Sequence, residues 1–390
     1  MSQALQVISP ALPAPLVPRD LETHSETQAA AQALATIRER VLAATASGVA
    51  LDIQGGNTKR WYGETPAGEP LDVRGYRGIV SYDPAELVIT ARAGTPLVEI
   101  EAALAECGQI LPFEPPHFGT GATLGGCIAA GLAGPRRPHV GAPRDFVLGA
   151  VLMNGQGQVL HFGGQVMKNV AGYDVSRVLA GSLGTLGVLL ELSIKVLPRP
   201  VAEATLRFAL PQAQAIDQLN RWGGQPLPLM GSAWHEGTLS VRLGGAAAAL
   251  DAARIAMGGE HVGNAEASAF WQTLREQTHP FFAAAPVAGN GQPLWRLSVP
   301  PTTPPLAGSD DSLIEWGGAQ RWWITSRAPA EIRAIAAAVG GHATLFRHGD
   351  KSTGAHGVFT PQPAALQAIG ERLQQAFDPS RIFNRHRLYR

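Results

Sequence analysis

The sequence predicts a globular fold of mixed helices and strands, divided into two or three units. At 390 residues the chain is longer than one typical domain. Glycine occurs 45 times and proline 30 times, yet 45% of the residues are hydrophobic, which indicates a turn-rich protein with sizeable cores. Strand-like and helix-like apolar patterns follow one another along the chain, so each unit is expected to contain both kinds of element.

The composition argues against several classes of partner and site. Lys plus Arg and Asp plus Glu balance at 31 each, so the chain has no overall positive field to hold nucleic acid. Cys107 and Cys127 are too few for a disulfide framework, a four-ligand zinc site or an iron–sulfur cluster. Both are expected to be buried free thiols, and no metal is expected.

The N-terminal segment, residues 1–24, is expected to be a loose extension. Residues 2–18 lack the basic start and the compact apolar core of a signal peptide. No apolar run in the chain reaches the roughly 20 residues that span a bilayer. The sequence therefore predicts a cytoplasmic protein.

The first predicted strand ends in a glycine pair. A helix is predicted over Ser25–Ala46 and a strand over Val49–Gln54, which runs into Gly55-Gly56-Asn57-Thr58-Lys59. A glycine pair that leaves a strand can present several main-chain N–H groups to a phosphate, and Lys59 would add positive charge. The residues alone leave a simple turn as the alternative.

A strand, a helix and a second strand are predicted next. The first strand is Leu87–Ala91, and Thr95 is predicted to cap a helix that begins at Pro96. The apolar face of this helix consists of Leu97, Ile100 and Leu104. The second strand is Gln109–Pro112.

Two glycine clusters mark the centre of the chain, at 118–126 and 181–187. They surround a predicted short helix, Ala122–Gly131, with Thr123 near its start, and they precede a strand at Val188–Val196. Because glycine permits positive φ and close approach to main chain, the clusters suggest a large ligand lying against the backbone. Neither has the spacing of the common nucleotide fingerprints, and we interpret the ligand as a flavin dinucleotide.

The segment between the clusters contains a predicted hairpin, formed by Val147–Met153 and Val159–Phe162, and a short helix over Val175–Ala180. Three arginines precede the hairpin: Arg136, Arg137 and Arg144. Their spacing does not distinguish solvated surface charge from contact with a phosphate or a partner.

Residues 201–345 predict a sheet covered by helices. The predicted strands are Ala204–Leu210, Thr238–Leu243 and Arg321–Ile324, and the predicted helices are Gln212–Trp222, Ala246–Met257, Ala267–Thr278 and Pro329–Val339. Tryptophans are concentrated in this half and are expected in its core or at an interface: Trp234, Trp271, Trp295, Trp316, Trp322 and Trp323.

Four segments together resemble a known family. They are Gly55–Lys59, Pro116–Gly131, Lys168–Asp174 and Gly181–Gly187, which occur in the order seen in flavoproteins of the vanillyl-alcohol oxidase and p-cresol methylhydroxylase (PCMH) type. Within that superfamily, three further segments resemble the FAD-binding subunits E of bacterial glycolate oxidases: Leu111–His117, Gly131–Pro138 and Val196–Pro200. The resemblance covers about Leu51 to Pro200 and recurs weakly at the C-terminus.

The resemblance implies an α+β fold with a two-subdomain PCMH-type FAD-binding domain followed by an α+β cap domain. The FAD-binding domain would cover residues 25–199, with subdomains of about 25–110 and 111–199. The cap would cover 200–345, and a segment at 346–390 would return to the FAD-binding domain. Phe377–Asn384 fits the closing segment of the family, whereas Arg385-His386-Arg387 replaces the usual Pro-Gly, so the basic end could be free or meet a partner.

The resemblance also implies which residues would hold FAD. Gly55, Gly56, Asn57, Thr58 and Lys59 would hold the pyrophosphate, and Thr123, Gly125 and Gly126 would contact the pyrophosphate and the flavin side. Gly184, Gly187 and Val188 would lie along the adenosine half. Leu183 stands where some relatives have an acid, so only main-chain contacts are expected there.

Noncovalent FAD is expected. Many relatives attach FAD through a histidine in the first glycine loop, where this chain has Asn57 and Thr58. His117, His139 and His161 are the histidines of this domain, and each is expected to be a turn or strand residue.

The sequence gives only weak signals for catalytic residues. Related 2-hydroxy-acid dehydrogenases carry a paired histidine motif late in the cap, and Gly341–Asp350 lacks it. His342, Arg347 and His348 are candidates for a base and a carboxylate-binding group, with ordinary cap residues as the alternative.

The resemblance therefore implies a subunit of a complex that oxidises glycolate to glyoxylate. A homologous flavin subunit with the intact motif would carry the main base, and an iron–sulfur subunit would take the electrons. The complex would be cytoplasmic, or peripheral at the inner membrane through partners. Two alternatives stay open: a stand-alone FAD-dependent 2-hydroxy-acid dehydrogenase and a flavin-free structural subunit.

Overall fold

The computed structural model describes residues 24–164, 174–285, 291–309, 311–347 and 357–388. The predicted extension up to residue 23, the segment Lys168–Tyr173 and His348 lie outside these residues. The longer described helices are α1 His24–Ser47, α2 Leu97–Glu106, α7 Gln212–Gly223, α8 Ala247–Met257, α9 Asn264–Arg275, α10 Pro329–Ala338 and α11 Ala364–Phe377. The short ones are α3 Leu124–Ala130, α4 Arg137–Val140, α5 Pro143–Phe146 and α6 Val175–Val178.

The described strands belong to two units. Those of the first unit are β1 Leu51–Gln54, β2 Glu69–Asp72, β3 Ile79–Asp83, β4 Val88–Arg92, β5 Gln109–Ile110, β6 Val147–Met153, β7 Val159–Gly163, β8 Val188–Lys195 and β9 Leu197–Pro198. Those of the second unit, the cap, are β10 Ala202–Ala209, β11 Leu229–His235, β12 Thr238–Gly245, β13 Glu260–Val262, β14 Leu294–Ser298, β15 Leu313–Glu315, β16 Gln320–Ile324 and β17 His342–Arg347.

The first unit is built on an antiparallel sheet in the order β3-β4-β8-β6-β7. Helices α2 and α3 pack on it through Leu97, Ile100, Leu104 and Ile128, each fully buried. Because β3 and β4 precede residue 110 and β6 to β8 follow it, the predicted subdomain boundary at 110 does not coincide with a sheet boundary. The α+β class is confirmed.

The C-terminal segment returns to the first unit. The parallel pair β1-β2 packs against α1, and Phe383 adds a further bridge to Leu51 of β1. The Leu51 N–H donates to the Ile382 carbonyl at 2.7 Å, and the Asn384 N–H donates to the Leu51 carbonyl at 2.9 Å. The chain end thus lies beside the loop that leaves β1.

The cap is one antiparallel sheet in the order β13-β10-β12-β11-β15-β16-β14-β17. One face is covered by α7, α8 and α10, whose apolar residues pack on Trp234, Trp295 and Trp323. The other face meets the first unit in a cluster that includes Tyr62, Leu132, Trp322 and Phe346. Most of the six cap tryptophans are buried, as predicted; Trp316 is half-buried.

Several element predictions need correction. Thr95 does not cap α2, since its hydroxyl accepts from the Gly78 N–H and donates to the Gly78 carbonyl, and Pro96 occupies the cap position. Gln109–Pro112 is only a two-residue strand, which pairs with β9. Strands β11, β14, β15 and β17 and helix α11 were not predicted. Their strand sequences carry Trp, His, Arg and Glu instead of a simple alternation of apolar and polar residues.

Candidate functional site

The first unit contains a cavity of about 110 Å³, called here the glycine cleft, whose walls come from three distant segments. They are the loop after β1, the start of α3 and the loop before β8, and the C-terminal tail closes the cavity. All of the predicted cofactor residues line it except one: Gly55, Gly56, Asn57, Thr58, Lys59, Thr123, Gly125, Gly126, Gly184 and Gly187. The exception, Val188, begins β8 and is fully buried in the core.

The loop Gly55–Lys59 presents its main chain to the cleft. None of its N–H groups donates a hydrogen bond to another of the described residues. A Cβ on Gly56 would lie 1.5 Å from the Gly121 carbonyl oxygen, so only glycine permits this approach of two loops. Asn57 has φ of +57°, a conformation that asparagine adopts more readily than most residues. The arrangement can hold an anionic group by main-chain donors.

The second wall is the start of α3. The Thr123 hydroxyl accepts from the Gly126 N–H at 3.3 Å, which makes Thr123 the N-cap. A Cβ on Gly125 would come within 2.7 Å of the Ala93 Cβ, so this glycine lets α3 lie against the end of β4. The seven-residue helix is thereby fixed beside the Gly55–Lys59 loop.

The third wall joins Gly184 to the C-terminal tail. Asn384 accepts from the Ile53 N–H at 2.7 Å and donates to the Leu183 carbonyl at 2.6 Å, so one carboxamide connects β1 with the last glycine cluster. A Cβ on Gly184 would lie 2.7 Å from the Asn384 Nδ2. Sequence reasoning missed Asn384 as a lining residue. The signal that could have identified it is its place in the Phe377–Asn384 segment, which resembles the closing segment of the family.

Charged side chains lie around the cleft. Lys59 donates to the His117 carbonyl at 3.2 Å, and burial lowers its pKa from the usual value. Arg387, 6% exposed, donates to the Arg60 carbonyl at 2.6 Å and also to the Glu64 carbonyl, and burial lowers its pKa to about 10. The predicted alternatives for the basic tail, a free end or a partner contact, do not apply to Arg387.

A second, smaller cavity of about 20 Å³ lies between the cap and the first unit, and we call it the cap cavity. Its cap lining includes Arg296 from β14, Glu315 from β15, and Gln320 and Trp322 from β16. Glu315 pairs with Gln320 and Arg296 pairs with Trp322 in the sheet register, so these side chains share one face. Sequence reasoning missed all of them as functional candidates.

The predicted catalytic candidates do not form a cluster. His342 begins β17 and is exposed, whereas Arg347 ends the same strand, roughly 16 Å away at the usual rise per residue. Arg347 is 5% exposed, bonds the Gln277 carboxamide oxygen and the Ala285 carbonyl, and lies over the Trp61 ring. Burial lowers its pKa to about 10. His348 is not among the described residues.

Three histidines of the first unit and the two cysteines do not line the glycine cleft. His117 Nε2 lies 3.2 Å from Glu101, His139 is in α4 and His161 is in β7. Cys127 is buried, and burial raises its pKa to about 12, whereas Cys107 is only half-buried.

The three arginines before the hairpin have different surroundings. Arg136 is buried beside Glu114 at 4.0 Å, Arg137 lies 4.5 Å from the Trp316 ring centre, and the Arg144 side chain is exposed. Glu114 also pairs with Arg242 of the cap at 2.6 Å, so this cluster connects the two units.

The chain is similar to several known proteins. A family model described as "FAD binding domain" matches residues 29–163. The chain is 49% identical to glycolate oxidase subunit GlcE of Escherichia coli over 90% of its own length and 96% of that protein. It is 33% identical to glycolate oxidase subunit GlcD of Bacillus subtilis, over 33% of this chain and 27% of that protein.

A solved structure shows the same fold. Alkyldihydroxyacetonephosphate synthase superimposes with a TM-score of 0.61 at 14% identity, covering 89% of this chain and 74% of that chain. Among the described residues, no helix combines the length and the hydropathy needed to cross a bilayer, and no group of three or more potential metal ligands occurs.

Proposed function

This chain belongs to the family of glycolate oxidase FAD-binding subunits, and we propose that it holds FAD in the glycine cleft as part of a glycolate-oxidising complex. It is an FAD-dependent oxidoreductase subunit. The observation that supports the proposed site is the convergence of three separate segments on one cavity, at which the N–H groups of Gly55–Lys59 have no acceptor among the described residues.

The residues of the cleft fit FAD chemically. Main-chain N–H groups of Gly55–Lys59 would bind the pyrophosphate, and the buried Lys59 ammonium would compensate its charge. Thr123, Gly125 and Gly126 would border the flavin side, and Gly184 and Gly187 the adenosine half. FAD, when bound, supplies a hydride acceptor and an electron carrier. Around it, the aromatic residues Trp61, Tyr62 and Phe118 would exclude water.

Noncovalent binding is part of the proposal. Asn57 and Thr58 occupy the loop position at which relatives carry the attaching histidine, and neither amide nor hydroxyl forms that link. His117 bonds Glu101, and His139 and His161 do not line the cleft.

The proposed partners are a homologous flavin subunit and an iron–sulfur subunit. The two cysteines of this chain cannot hold a cluster, so electron transfer to a quinone needs another subunit. The poor match of Gly341–Asp350 to the histidine motif supports the proposal that the homologous flavin subunit carries the main base for glycolate oxidation. A cytoplasmic location, with contact to the inner membrane only through partners, belongs to the same proposal.

Purification of the full chain, alone and with its co-expressed partners, tests this function. We expect a yellow protein whose flavin is released by acid precipitation, with glycolate-dependent dye reduction in the complex. A colourless chain that FAD does not reconstitute contradicts the proposal and favours a structural subunit. Full glycolate turnover by the isolated chain contradicts the assignment of the base to a partner and favours a stand-alone dehydrogenase.

A further inference from the structure

A third cavity, of about 620 Å³, lies between the two units, and we call it the junction cavity. Its walls include parts of α2 and β5 from the first unit, the connection 199–201, and parts of β10, β12 and α9 from the cap. It shares no lining residue with the glycine cleft. Pockets that hold small molecules have volumes of about 300–1,000 Å³, so this cavity has the size of a ligand site. The proposed FAD site leaves it unassigned.

The acids that line the junction cavity already have charged or ionisable partners. Glu114 Oε1 accepts from Arg242 Nη1 at 2.6 Å, and Glu203 Oε2 accepts from Arg242 Nε at 2.8 Å. Glu101 Oε1 lies 3.2 Å from His117 Nε2. The nearest such partners of the acids are therefore Arg242 and His117, and not the other arginines of the cavity.

Arg136 is a buried cation of the lining whose hydrogen bonds are incomplete. It is 6% exposed, and its Nε has no hydrogen-bond partner among the described residues. That Nε lies 4.0 Å from Glu114 Oε1, too far for a hydrogen bond, and Nη2 reaches only the Met230 sulfur, a weak acceptor, at 3.6 Å. Burial lowers the pKa of Arg136 from its ordinary value. A solvated surface charge, one alternative from the sequence, does not describe Arg136, and an anion that accepts from it would remove the cost of the unused donor.

Arg199 adds a second guanidinium, from the connection between the units. Its side chain is exposed and forms no ion pair or hydrogen bond with the described residues. Its main chain is fixed, because the Arg199 N–H donates to the Gly108 carbonyl at 2.8 Å. Arg275, from α9, is paired with Glu276 at 2.8 Å. Arg136 and Arg199 are therefore the guanidiniums left to bind an anion, and two of them suit the several oxygens of a phosphate group.

One face of α9 supplies neutral polar side chains to the junction cavity. Asn264, Ser268 and Gln272 follow one another at intervals of four residues, so they share this face. Their side chains form no hydrogen bond with the described residues. Ala267 and Trp271 add apolar surface beside them. Carboxamide and hydroxyl groups can both donate and accept, so this face suits a ligand that carries several hydroxyl groups.

We propose that the junction cavity binds a phosphorylated polyhydroxy compound of the sugar-phosphate class. The phosphate group accepts hydrogen bonds from the Arg136 and Arg199 guanidiniums, and the hydroxyl groups of the ligand bond to Asn264, Ser268 and Gln272 of α9. The site does not depend on FAD, because its residues are separate from those of the glycine cleft. Since both units contribute to the lining, the bound ligand stabilises their contact.

Ribose 5-phosphate, inorganic phosphate and ribose are probes that separate the two parts of the site. Calorimetric titration of the full chain in the presence of FAD is expected to show binding of ribose 5-phosphate, weaker binding of inorganic phosphate and no binding of ribose. Arg199→Gln, and Arg136→Gln if it folds, should each weaken the binding of ribose 5-phosphate about tenfold or more, because a charge-assisted hydrogen bond is lost. The matched control is Arg144→Gln, which replaces an exposed arginine outside the cavity and should change the affinity by less than about twofold.

Gln272→Ala provides a second readout that a general folding defect does not produce. It removes a hydroxyl partner and keeps both guanidiniums, so the affinity for ribose 5-phosphate should decrease about threefold while that for inorganic phosphate stays unchanged. A parallel loss of both affinities, or no loss of either, contradicts the role given to α9. Succinate that binds as tightly as ribose 5-phosphate contradicts the assignment to a phosphate group.

The outcomes separate this site from the proposed function. A chain that retains FAD but does not bind ribose 5-phosphate, or binds it equally well in Arg199→Gln, contradicts the junction site and leaves FAD binding intact. Ribose 5-phosphate that binds only when FAD is absent also contradicts the junction site, because the phosphate then competes for the glycine cleft. Binding with the expected Arg199 dependence in a chain that does not retain FAD supports the junction site and contradicts the proposed FAD site.

Discussion

The glycine cleft and the cap cavity are built on opposite principles. The cleft presents main chain, with glycines at the places where a Cβ would collide with another loop. The cap cavity presents side chains, with Arg296, Glu315, Gln320 and Trp322 aligned by strand register. Backbone can contact a large, extended ligand along its whole length, whereas a few polar side chains suit a small one. The difference supports the glycine cleft as the place of the proposed cofactor.

Replacement of Gly56 by alanine tests whether the cleft depends on the close approach of two main-chain loops. Among the substitutions considered, it should have the largest effect on stability and flavin binding. The new Cβ would lie 1.5 Å from the Gly121 carbonyl oxygen, so the two loops of the cleft must separate. We expect loss of bound flavin and a decrease of about 3 kcal/mol or more in the free energy of unfolding. Flavin content and denaturant unfolding measure the two effects.

The matched control is Gly370→Ala in the exposed helix α11, where a Cβ meets no atom within 4 Å. It should stabilise the protein by about 1 kcal/mol and keep the flavin. Normal flavin content in Gly56→Ala would show that the close approach of the loops is not needed.

The buried Glu315 side chain of the cap cavity predicts that the free energy of unfolding depends on pH. Its pKa is raised from the usual 4.5 to about 7 by burial, so the folded protein binds more protons than the unfolded chain between these values. The stabilisation is complete below about pH 4.5 and is lost as the pH rises to about 7. The total is about 3 kcal/mol. Between pH 4.5 and 7, the free energy of unfolding should fall more steeply with pH for the unaltered protein than for Glu315→Gln. Parallel plots of the free energy of unfolding against pH for the two proteins would contradict a neutral Glu315.

The two regions also differ in what the sequence revealed. The cleft residues belong to short contiguous segments, such as Gly55–Lys59, in which the residue types themselves report backbone conformation and close approach. Arg296, Glu315 and Gln320 come from separate strands, and only the register brings them to one face. Nothing local distinguishes Glu315 from a surface acid, because its burial depends on the first unit covering the cap sheet.

The same reasoning explains where individual residues lie in the structure. Thr95 precedes a helix and suits an N-cap, but the Gly78 main chain lies close enough to take its hydroxyl. His342 and Arg347 are close in sequence, yet an extended strand places them at opposite ends. The sequence predicts that Val188 contacts the adenosine half through its main chain, and the burial of its side chain in the core leaves that prediction open.

Asn384 tests whether the cleft depends on side chains as well as main chain. Asn384→Gly keeps the positive φ of 37° but removes the carboxamide that joins Ile53 to Leu183. Two main-chain groups then lose their partner, which should cost about 2 kcal/mol and weaken flavin retention. An exposed residue of α11 provides the control, since Gln375→Ala should change the free energy of unfolding by less than about 0.5 kcal/mol. Equal effects of the two substitutions would contradict a specific role of Asn384.

Thr123 should give the smallest effect and separates capping from ligand contact. Its hydroxyl accepts from the Gly126 N–H at 3.3 Å, and Thr123→Ala removes this cap at a cost of about 1 kcal/mol. Thr123→Ser keeps the hydroxyl and should recover most of that free energy. If the hydroxyl also contacts FAD, the flavin dissociation constant should rise in Thr123→Ala by more than the loss of the cap explains, and fluorescence titration of the apoprotein measures it. A dissociation constant unchanged in both variants would assign Thr123 to the cap alone, and the glycine cleft would then bind its ligand by main chain at this wall too.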